Sequence, residues 1–254
     1  MKKKLVDVII PYYKKKKFVV KTVNSILNQS FTSLRVILIY DDTDLHDYYF
    51  LKKKFKKKIR ILINNKNLGV GFSRNNGIRF SNSKYIAFCD ADDIWKKNKL
   101  DKQIKYMKSN NLDFLHSSYY IINEQNQRIG KMSIKKNLSY QDLLKSCDIG
   151  LSTVVVKRKI LKKKLFKNLK TKEDYCLWLQ LLKAGIKING LNEALVYWRK
   201  NKVSLSSDTF QKLSDAFKLY NKYEKFNIIT SFFLTLRLSF NFILKRFNQK
   251  QIIE

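Results

Sequence analysis

The sequence contains very little proline and glycine, with one proline and seven glycines in 254 residues. This scarcity excludes a collagen-like chain and argues against Pro- or Gly-rich linkers. The three cysteines form no C-x-x-C pair, so neither a disulfide framework nor a zinc site is supported. No stretch reaches the roughly 18 apolar residues of a membrane span. The apolar run that follows Lys2–Lys4 is broken by Asp7 and Pro11, and is too short for a signal peptide.

Acidic residues are also scarce, because 20 Asp and Glu stand against 53 Lys and Arg, a formal net charge of +33. Such a balance attracts phosphate, so nucleic acid, anionic lipid headgroups and nucleotides are all candidate partners. The lysines come in scattered runs, which favours a compositional bias, with selection for an anionic partner as the alternative. The hydrophobic content of 44% is enough for a sizeable core and excludes a wholly disordered chain.

Short apolar runs alternate with segments of helical spacing along the first part of the chain. The predicted strands are Leu5–Ile10, which is ended by Pro11, and Leu34–Tyr40, Ile59–Ile63 and Tyr85–Cys89. The predicted helices are Phe18–Leu27, Tyr48–Phe55 and Ser73–Phe80, and further on Tyr140–Lys145 and Thr171–Ala184, with strand-like runs at Phe114–Ile122 and Leu151–Val156. This alternation predicts an α/β domain with a mostly parallel central sheet.

Two of the predicted strands end in clustered acids, at Asp41–Asp44 and at Asp90–Asp93. Ligands of open α/β sheets bind at the carboxyl ends of the strands. Asp90 and Asp92 can direct their oxygens toward one point, and carboxylate oxygen is the ligand that Mg²⁺ and Mn²⁺ prefer. The alternative is that these acids only stabilise the start of the next helix.

Two further segments have both a functional and a structural interpretation. The segment Gly69–Arg74 is no dinucleotide fingerprint, because Arg74 replaces the third glycine, but a glycine turn before a helix could still meet a phosphate. A plain turn is the alternative. Thr171 and Asp174 match a capping box, whereas a functional interpretation makes one carboxylate of Glu173-Asp174 a general base.

Taken in order, these segments resemble a family 2 glycosyltransferase with the nucleotide-sugar-binding GT-A fold. The segments that carry the resemblance are Val8–Tyr13, Ser25–Phe31, Asp41–Thr43, Asn67–Ile78, Phe88–Trp95, Glu173–Leu179 and Trp198–Ser206. They are similar to the family's Pro-x-Tyr-Asn start, Ser-Ile-Leu-x-Gln-Thr helix, Asp-Asp-Gly-Ser turn, Arg-Asn-x-Gly-Ile segment, Asp-Ala-Asp-Asp motif, Glu-Asp-x-x-Leu-Trp helix and Tyr-Arg-x-His tail. This sequence departs from the pattern at Lys14 and Asn201, and its Asp41 turn lacks the glycine.

The resemblance implies a GT-A domain over residues 1–206 and a role for each matching position. It assigns Asp174 as the catalytic base, and Asp90 and Asp92 as ligands of Mn²⁺ or Mg²⁺. The residues implied to bind substrate are Pro11, Tyr13, Asp41, Asp42, Arg74, Asp90, Ala91, Asp92, Glu173, Trp178 and Arg199. Because Asp174 opens a helix, its pKa is expected to be lowered by the helix dipole.

The activity implied is inverting, metal-dependent sugar transfer from a nucleotide-diphosphate sugar, with UDP as the default nucleotide. The acceptor is expected to be a hydroxyl of a glycan or lipid-linked glycan in surface polysaccharide or lipopolysaccharide biosynthesis. Two rival functions remain at this point. The first is a nucleic-acid-binding protein, which charge alone favours and against which the acid clusters argue. The second is a nucleotidyltransferase built on a similar α/β sheet.

Residues 207–254 differ from the rest in being basic and amphipathic. Phe226–Phe247 is apolar enough to span a membrane but carries Arg237 near its middle, at a cost of at least about 2.5 kcal/mol. A helix lying in the interface of an anionic membrane therefore fits better, with the protein cytoplasmic and peripheral on the inner face of the cell membrane. The alternative is a helix pair that packs on the enzyme's own surface or in a dimer.

Overall fold

The computed structural model describes residues 4–201 and 208–250, with side chains described to residue 241. Its strands are β1 (Val6–Tyr12), β2 (Leu34–Tyr40), β3 (Arg60–Ile63), β4 (Tyr85–Phe88), β5 (Ile94–Trp95), β6 (Phe114–Ile122), β7 (Arg128–Met132), β8 (Asn137–Leu138), β9 (Val155–Lys157) and β10 (Ile188–Arg199). Its α-helices are α1 (Lys16–Leu27), α2 (His46–Phe55), α3 (Val70–Phe80), α4 (Lys99–Ser109), α5 (Tyr140–Lys145), α6 (Glu173–Lys183), α7 (Thr209–Lys218) and α8 (Ile228–Lys250).

The first half of the sheet is parallel, in the order β3-β2-β1-β4. Its strands are short Val- and Ile-rich runs, as expected where both faces of a sheet are covered. The predicted strands of this half are confirmed, although β1 does not end at Pro11 but continues to Tyr12. Pairing with β4 stops at Ile9, so Pro11 has only β2 beside it and its missing N–H group is tolerated as in an edge strand.

The second half of the sheet is mixed. Strand β9 runs antiparallel between β4 and β6, and β6 and β10 are parallel to each other. The predicted strand Leu151–Val156 is wrong in its first half, where Leu151–Thr153 forms a 3₁₀ turn. The sequence also failed to predict α4 and the short antiparallel strands β5, β7 and β8. The predicted α/β architecture with a central sheet is nevertheless confirmed.

Helix α3 lies unusually close to the sheet, and this approach requires a glycine. A Cβ atom at Gly77 would stand 2.6 Å from Cγ2 of Ile9, so any larger residue would push the helix away from β1. The helix carries Arg74 one turn before this contact. The close packing therefore sets how near Arg74 comes to the ends of the central strands.

The predicted helical extension is confirmed as α7, a π-helical turn at Leu219–Tyr223, and α8. One side of it is buried with the main hydrophobic core, through Ala216, Leu219, Tyr220 and Leu238. The other side of α8 exposes large apolar side chains. Among the residues that the structure describes, no helix combines the length and the apolar character needed to cross a membrane.

Candidate active site

The acidic segments meet at one edge of the sheet, where β1, β2 and β4 end. Asp41 follows β2 directly, and Asp90 lies two residues beyond β4. Because β1 pairs in parallel with both strands, their carboxyl ends open on the same side. The sequence-based prediction that the two acid clusters share one edge is thus confirmed by the topology.

Asp41 organises the glycine turn before α3. Its carboxylate accepts hydrogen bonds from the backbone N–H groups of Leu68 (2.8 Å) and Gly69 (2.9 Å). It also accepts one from the amide of Asn64 at 2.7 Å, and the same amide reaches the hydroxyl of Ser73. Gly69 has a φ of +82°, a conformation that favours glycine. Sequence reasoning missed Asn64, which lies one residue beyond β3 and carries no motif of its own.

Asp93 is a buried structural acid. Its Oδ1 accepts the backbone N–H of Arg199 at 2.8 Å, while Oδ2 has no hydrogen-bond partner in the described part of the chain. Burial raises the pKa of Asp93 well above its usual range, and the neighbouring Asp92 and Asp90 add to the effect. The hydrogen bond from Arg199 to Asp93 joins the acid turn to the end of β10.

Asp92 lies at the mouth of the site, where its Oδ2 atom has two donors. The ammonium of Lys15 is 2.8 Å away, and the amide of Asn201 donates at 2.6 Å. Burial raises the pKa of Asp92, as does the charge of Asp90, and the Lys15 ammonium opposes both effects. Neither Lys15 nor Asn201 was among the residues predicted from sequence.

Arg74 connects the two acidic segments of the site. Its guanidinium donates from Nη2 to Asp90 Oδ1 at 2.7 Å and from Nη1 to Glu173 Oε1 at 2.6 Å. Only 3% of the Arg74 side chain is exposed, so a buried charge is balanced by a carboxylate on each side. The carboxylates keep the pKa of Arg74 raised despite its burial. This bridge places the start of α6 beside the Asp90 turn, although Glu173 lies 99 residues after Arg74 in the sequence.

The start of α6 differs from the capping box that the sequence allowed. Lys172, with a φ of +67°, is the cap residue, and the backbone N–H and hydroxyl of Thr171 both donate to Asp215 instead. The carboxylate of Asp174 accepts the N–H of Tyr175 at 2.7 Å. The predicted lowering of the Asp174 pKa is wrong, because burial raises it more than Arg74 lowers it. Burial also raises the pKa of Glu173.

Arg199 and Trp178 support the segments that carry the acidic residues of the site. The Arg199 guanidinium donates to the carbonyls of Asp92 and Asn123 at 2.8 and 2.7 Å, and lies 4.7 Å from the ring centroid of Phe18. It therefore clamps the acid turn onto the β6–β7 turn. Trp178 is wholly buried and packs edge-on against Phe114 and Phe166. Trp178 can act on a substrate only through the helix that it anchors.

The remaining predicted contacts lie along the rim of the cleft. Pro11 is buried at the end of β1, whereas Tyr13 is 42% exposed just beyond it. Asp42 is buried, and its Oδ1 accepts the N–H of Asp44 at 3.3 Å. The carbonyl of Ala91 accepts the hydroxyl of Thr22 at 3.0 Å, which holds the acid turn against α1.

The donor set of the site suits a hard divalent cation only in part. Asp90 and Asp92 offer carboxylate oxygen, which Mg²⁺ and Mn²⁺ prefer. Across residues 4–201 and 208–250, however, no three His, Cys, Asp or Glu side chains converge to hold a metal ion. Mg²⁺ commonly takes one or two carboxylates and completes its shell with substrate phosphates and water. The residues present fit such a shared site and not an all-protein cage.

Comparison with known proteins identifies the family. Residues 7–170 match the sequence model of the family described as "Glycosyl transferase family 2". The chain is 30% identical over 247 residues to TuaG of Bacillus subtilis, whose name assigns it to teichuronic acid biosynthesis, covering 96% of this chain and 98% of that protein. It is 33% identical over 211 residues to WfgD of Escherichia coli, named as a UDP-Glc:alpha-D-GlcNAc-diphosphoundecaprenol beta-1,3-glucosyltransferase, covering 82% of each chain.

Solved structures share the fold at low identity. The S. aureus TarS fragment 1–349, solved in complex with UDP-GlcNAc, superimposes with a TM-score of 0.67 at 19% identity, covering 89% of this chain and 69% of that one. The mannosyltransferase PcManGT of Pyrobaculum calidifontis, in complex with GDP-Man and Mn²⁺, gives a TM-score of 0.66 at 12% identity, covering 91% and 69%. These likenesses confirm the expected GT-A fold.

Proposed function

The chain belongs to glycosyltransferase family 2 and is a glycosyltransferase, and from this we propose an inverting, metal-dependent sugar transfer. The donor is a nucleotide-diphosphate sugar, with UDP the first choice, and the acceptor is a hydroxyl of a glycan or lipid-linked glycan. The process is surface polysaccharide biosynthesis, as the names of the similar TuaG and WfgD suggest. The observation that carries the proposal is the Arg74 bridge, which places the Asp90 turn and the start of α6 in one site.

Asp174 is the better candidate base of the two acids that open α6. The Oε1 atom of Glu173 is held by Arg74 at 2.6 Å, and Glu173 is buried. Asp174 is only partly buried, and the N–H of Tyr175 donates to its Oδ1 atom. We assign Oδ2 of Asp174 as the atom that takes the proton of the acceptor hydroxyl. A single base on an element separate from the diphosphate site suits attack from the opposite face of the sugar.

The carboxylates of Asp90 and Asp92 would hold the Mn²⁺ or Mg²⁺ together with the donor's diphosphate. When bound, the cation would neutralise the negative charge that develops on the leaving diphosphate. Tyr13, Asp41 and Asp42 line the part of the cleft where the nucleotide base and ribose are expected. Arg74 would orient Asp90 from behind, because its own guanidinium is buried between two carboxylates.

The proposal is tested by calorimetric titration with UDP, dTDP, GDP and CDP, each with and without Mn²⁺. We expect one nucleotide to bind in a Mn²⁺-dependent way and this binding to be lost in Asp92→Ala. Asp101→Ala is the matched control, since Asp101 is an exposed acid on α4. Salt-sensitive binding of DNA or RNA, with no nucleotide binding, would instead favour the nucleic-acid function. Release of pyrophosphate in place of a nucleoside diphosphate during turnover would favour a nucleotidyltransferase.

We further propose a division into a catalytic domain, residues 1–206, and an extension, residues 207–254, that contacts an anionic membrane. Support comes from the outer face of α8, whose exposed apolar side chains are Ile228, Ile229, Phe232, Phe233, Leu236 and Phe240. Exposed Lys225 and Arg237 lie on or beside the same helix. An apolar face beside cations is typical of helices that lie in the membrane interface. The protein would then act peripherally on the inner face of the cell membrane, near lipid-linked acceptors.

Sedimentation with vesicles tests the membrane contact. We expect the protein to sediment with vesicles that contain anionic phosphatidylglycerol more than with purely zwitterionic ones. Phe233→Ser should weaken this binding, whereas Tyr49→Ser on α2 should not, although the two side chains are similarly exposed, at 64% and 61%. Equal binding of the two variants would contradict the assignment to α8.

A further inference from the structure

Each of the two candidate ligand carboxylates already has a cation of its own in the protein. Asp90 is paired with Arg74 at 2.7 Å, and Asp92 with Lys15 at 2.8 Å. Lys15 comes from the turn between β1 and α1, where Lys14 adopts a φ of +49° and Lys15 precedes the first residue of the helix. This turn brings the ammonium of Lys15 to the mouth of the site.

The two cations are held very differently. The Arg74 side chain is 3% exposed and is fixed by two carboxylates and by the ring of Phe166, 5.4 Å from its guanidinium carbon. The Lys15 side chain is 28% exposed and forms an ion pair with Asp92. An ammonium on a flexible four-carbon stem can leave its partner at little cost, whereas a buried, doubly paired guanidinium cannot.

The contact also lies on a carboxylate oxygen that a metal ion could use. Both Lys15 and Asn201 donate to Oδ2 of Asp92. A divalent cation and an ammonium that share one carboxylate repel each other, and the repulsion is strong where burial reduces screening. Occupation of Asp92 by Lys15 and by a divalent cation should therefore be mutually unfavourable.

We infer that Lys15 is a resident counter-ion of Asp92 that competes with the divalent cation and is displaced when the cation binds. This inference rests on the proposed function, since it takes Asp92 as a metal ligand. It makes Lys15 a positioning residue that neutralises Asp92 when no divalent cation is bound and that weakens binding of the metal alone. The matched neighbour is Lys17, which pairs at 2.7 Å with Glu124 and not with Asp92.

The test is a titration of the nucleotide-free protein with Mn²⁺, in which electron paramagnetic resonance counts the free aqueous ion. We expect Lys15→Gln to bind Mn²⁺ roughly threefold to fivefold more tightly than the unaltered protein, the upper part of the range for loss of a partly exposed ion pair. Lys17→Gln removes the same charge nearby and should stay within about twofold. Lys15→Arg keeps the charge and should restore weak binding. Unfolding curves of the variants show that each is folded.

The outcomes separate this inference from the metal assignment itself. Equal Mn²⁺ affinity of Lys15→Gln and Lys17→Gln, including no measurable binding by either, would overturn the competition. Weaker binding by Lys15→Gln would overturn it as well. A separate variant, Asp92→Asn, tests the proposed ligand, because unchanged Mn²⁺ binding in that variant would remove Asp92 from the metal site whatever Lys15 does.

Discussion

The two ends of the parallel half of the sheet hold their charges differently, although both contain an ion pair. At the amino end, Arg35 donates to the buried carboxylate of Asp7 at 2.8 Å. At the carboxyl end, Asp90 and Asp92 lie in a partly buried cleft, and each is paired with a cation. At the amino end, a shallow cleft is lined by the cations Lys4, Lys84 and Arg158. There Lys4 and Arg158 donate to backbone carbonyls, at 3.3 and 3.0 Å.

This difference shows that the net charge of +33 does not locate the function. Many of the cations lie on exposed surface, where solvent screens their charge, whereas Asp41, Asp42 and Asp93 are buried together at the carboxyl edge. Burial raises the pKa of Asp92, Asp93 and Asp174, so negative charge on these acids of the candidate site is costly.

The largest expected effect is on catalysis at the carboxyl end. Asp174→Asn should lower the rate of sugar transfer roughly 10²–10⁴-fold, because an amide cannot accept the proton of the acceptor hydroxyl. Nucleotide binding should persist, since Asp174 is not assigned to the donor. Steady-state kinetics and calorimetry measure the two properties, with Asp101→Asn as control. Normal turnover in Asp174→Asn would refute the base assignment.

The second effect concerns the stability of the bridge. Arg74→Met should lower the free energy of unfolding by about 3–5 kcal/mol, because Asp90 and Glu173 then lose a buried counter-charge. Arg79→Met, on the same helix but exposed, should cost less than about 0.5 kcal/mol. Urea unfolding of both variants makes the comparison. A loss at Arg74 no larger than that at Arg79 would show that the bridge does not hold the two segments together.

A third prediction concerns a buried lysine whose ammonium nitrogen has no hydrogen-bond partner among the described residues. Lys99 is fully buried, its Nζ lies 3.8 Å from the centroid of the Trp95 ring, and burial lowers its pKa to about 7. Because the unfolded chain holds this proton up to its ordinary pKa of 10.5, the lysine's contribution to stability rises with pH from about 7 upward. Lys99→Met lacks that titration. Its free energy of unfolding, measured relative to that of the unaltered protein, should therefore fall by about 2 kcal/mol between pH 7 and pH 9.

Urea unfolding at several pH values measures this change. Lys105→Met on the same helix is exposed and serves as the control, with a difference from the unaltered protein that should not vary with pH. A pH-independent difference for Lys99→Met would show that Lys99 stays protonated in the fold.

The smallest expected effect lies at the amino end of the strands. Lys84→Gln should leave sugar transfer within about twofold and stability within about 0.5 kcal/mol, because Lys84 is exposed. The same kinetic and urea measurements apply. A tenfold loss of activity would mean that the basic cleft takes part in the reaction.

The elements of the fold that sequence predicted well are those with a clear local period. Strand β2 and strand β6 were predicted with the bounds that the structure has, because each begins and ends on apolar or aromatic residues that favour strands. The two-residue strands β5 and β8 carry too few residues to show any period, and their pairing with β10 depends on contacts distant in sequence. Thr171 illustrates the same limit, because its partner Asp215 lies 44 residues away.

The residues of the candidate site also fall into those that were predicted from sequence and those that were missed. Asp41, Asp90, Asp92 and Asp174 were predicted because they stand at strand ends or at a helix start and match family motifs. Lys15 and Asn64 were missed because neither matches a motif residue, and Asn201 was missed because it replaces the histidine of the family's Tyr-Arg-x-His tail. Lysine in particular is so abundant in this chain that no single one stands out by type.

The amino-acid sequence is enough to show where strands and helices alternate and that two of the strands end in acids. These properties depend on local periodicity and on chain order. The pairing of cations with carboxylates depends instead on the three-dimensional fold, which brings Arg74 to Asp90 and Glu173, and Lys15 to Asp92. Those pairs join positions 16 to 99 residues apart, and their burial decides how strongly each charge is felt.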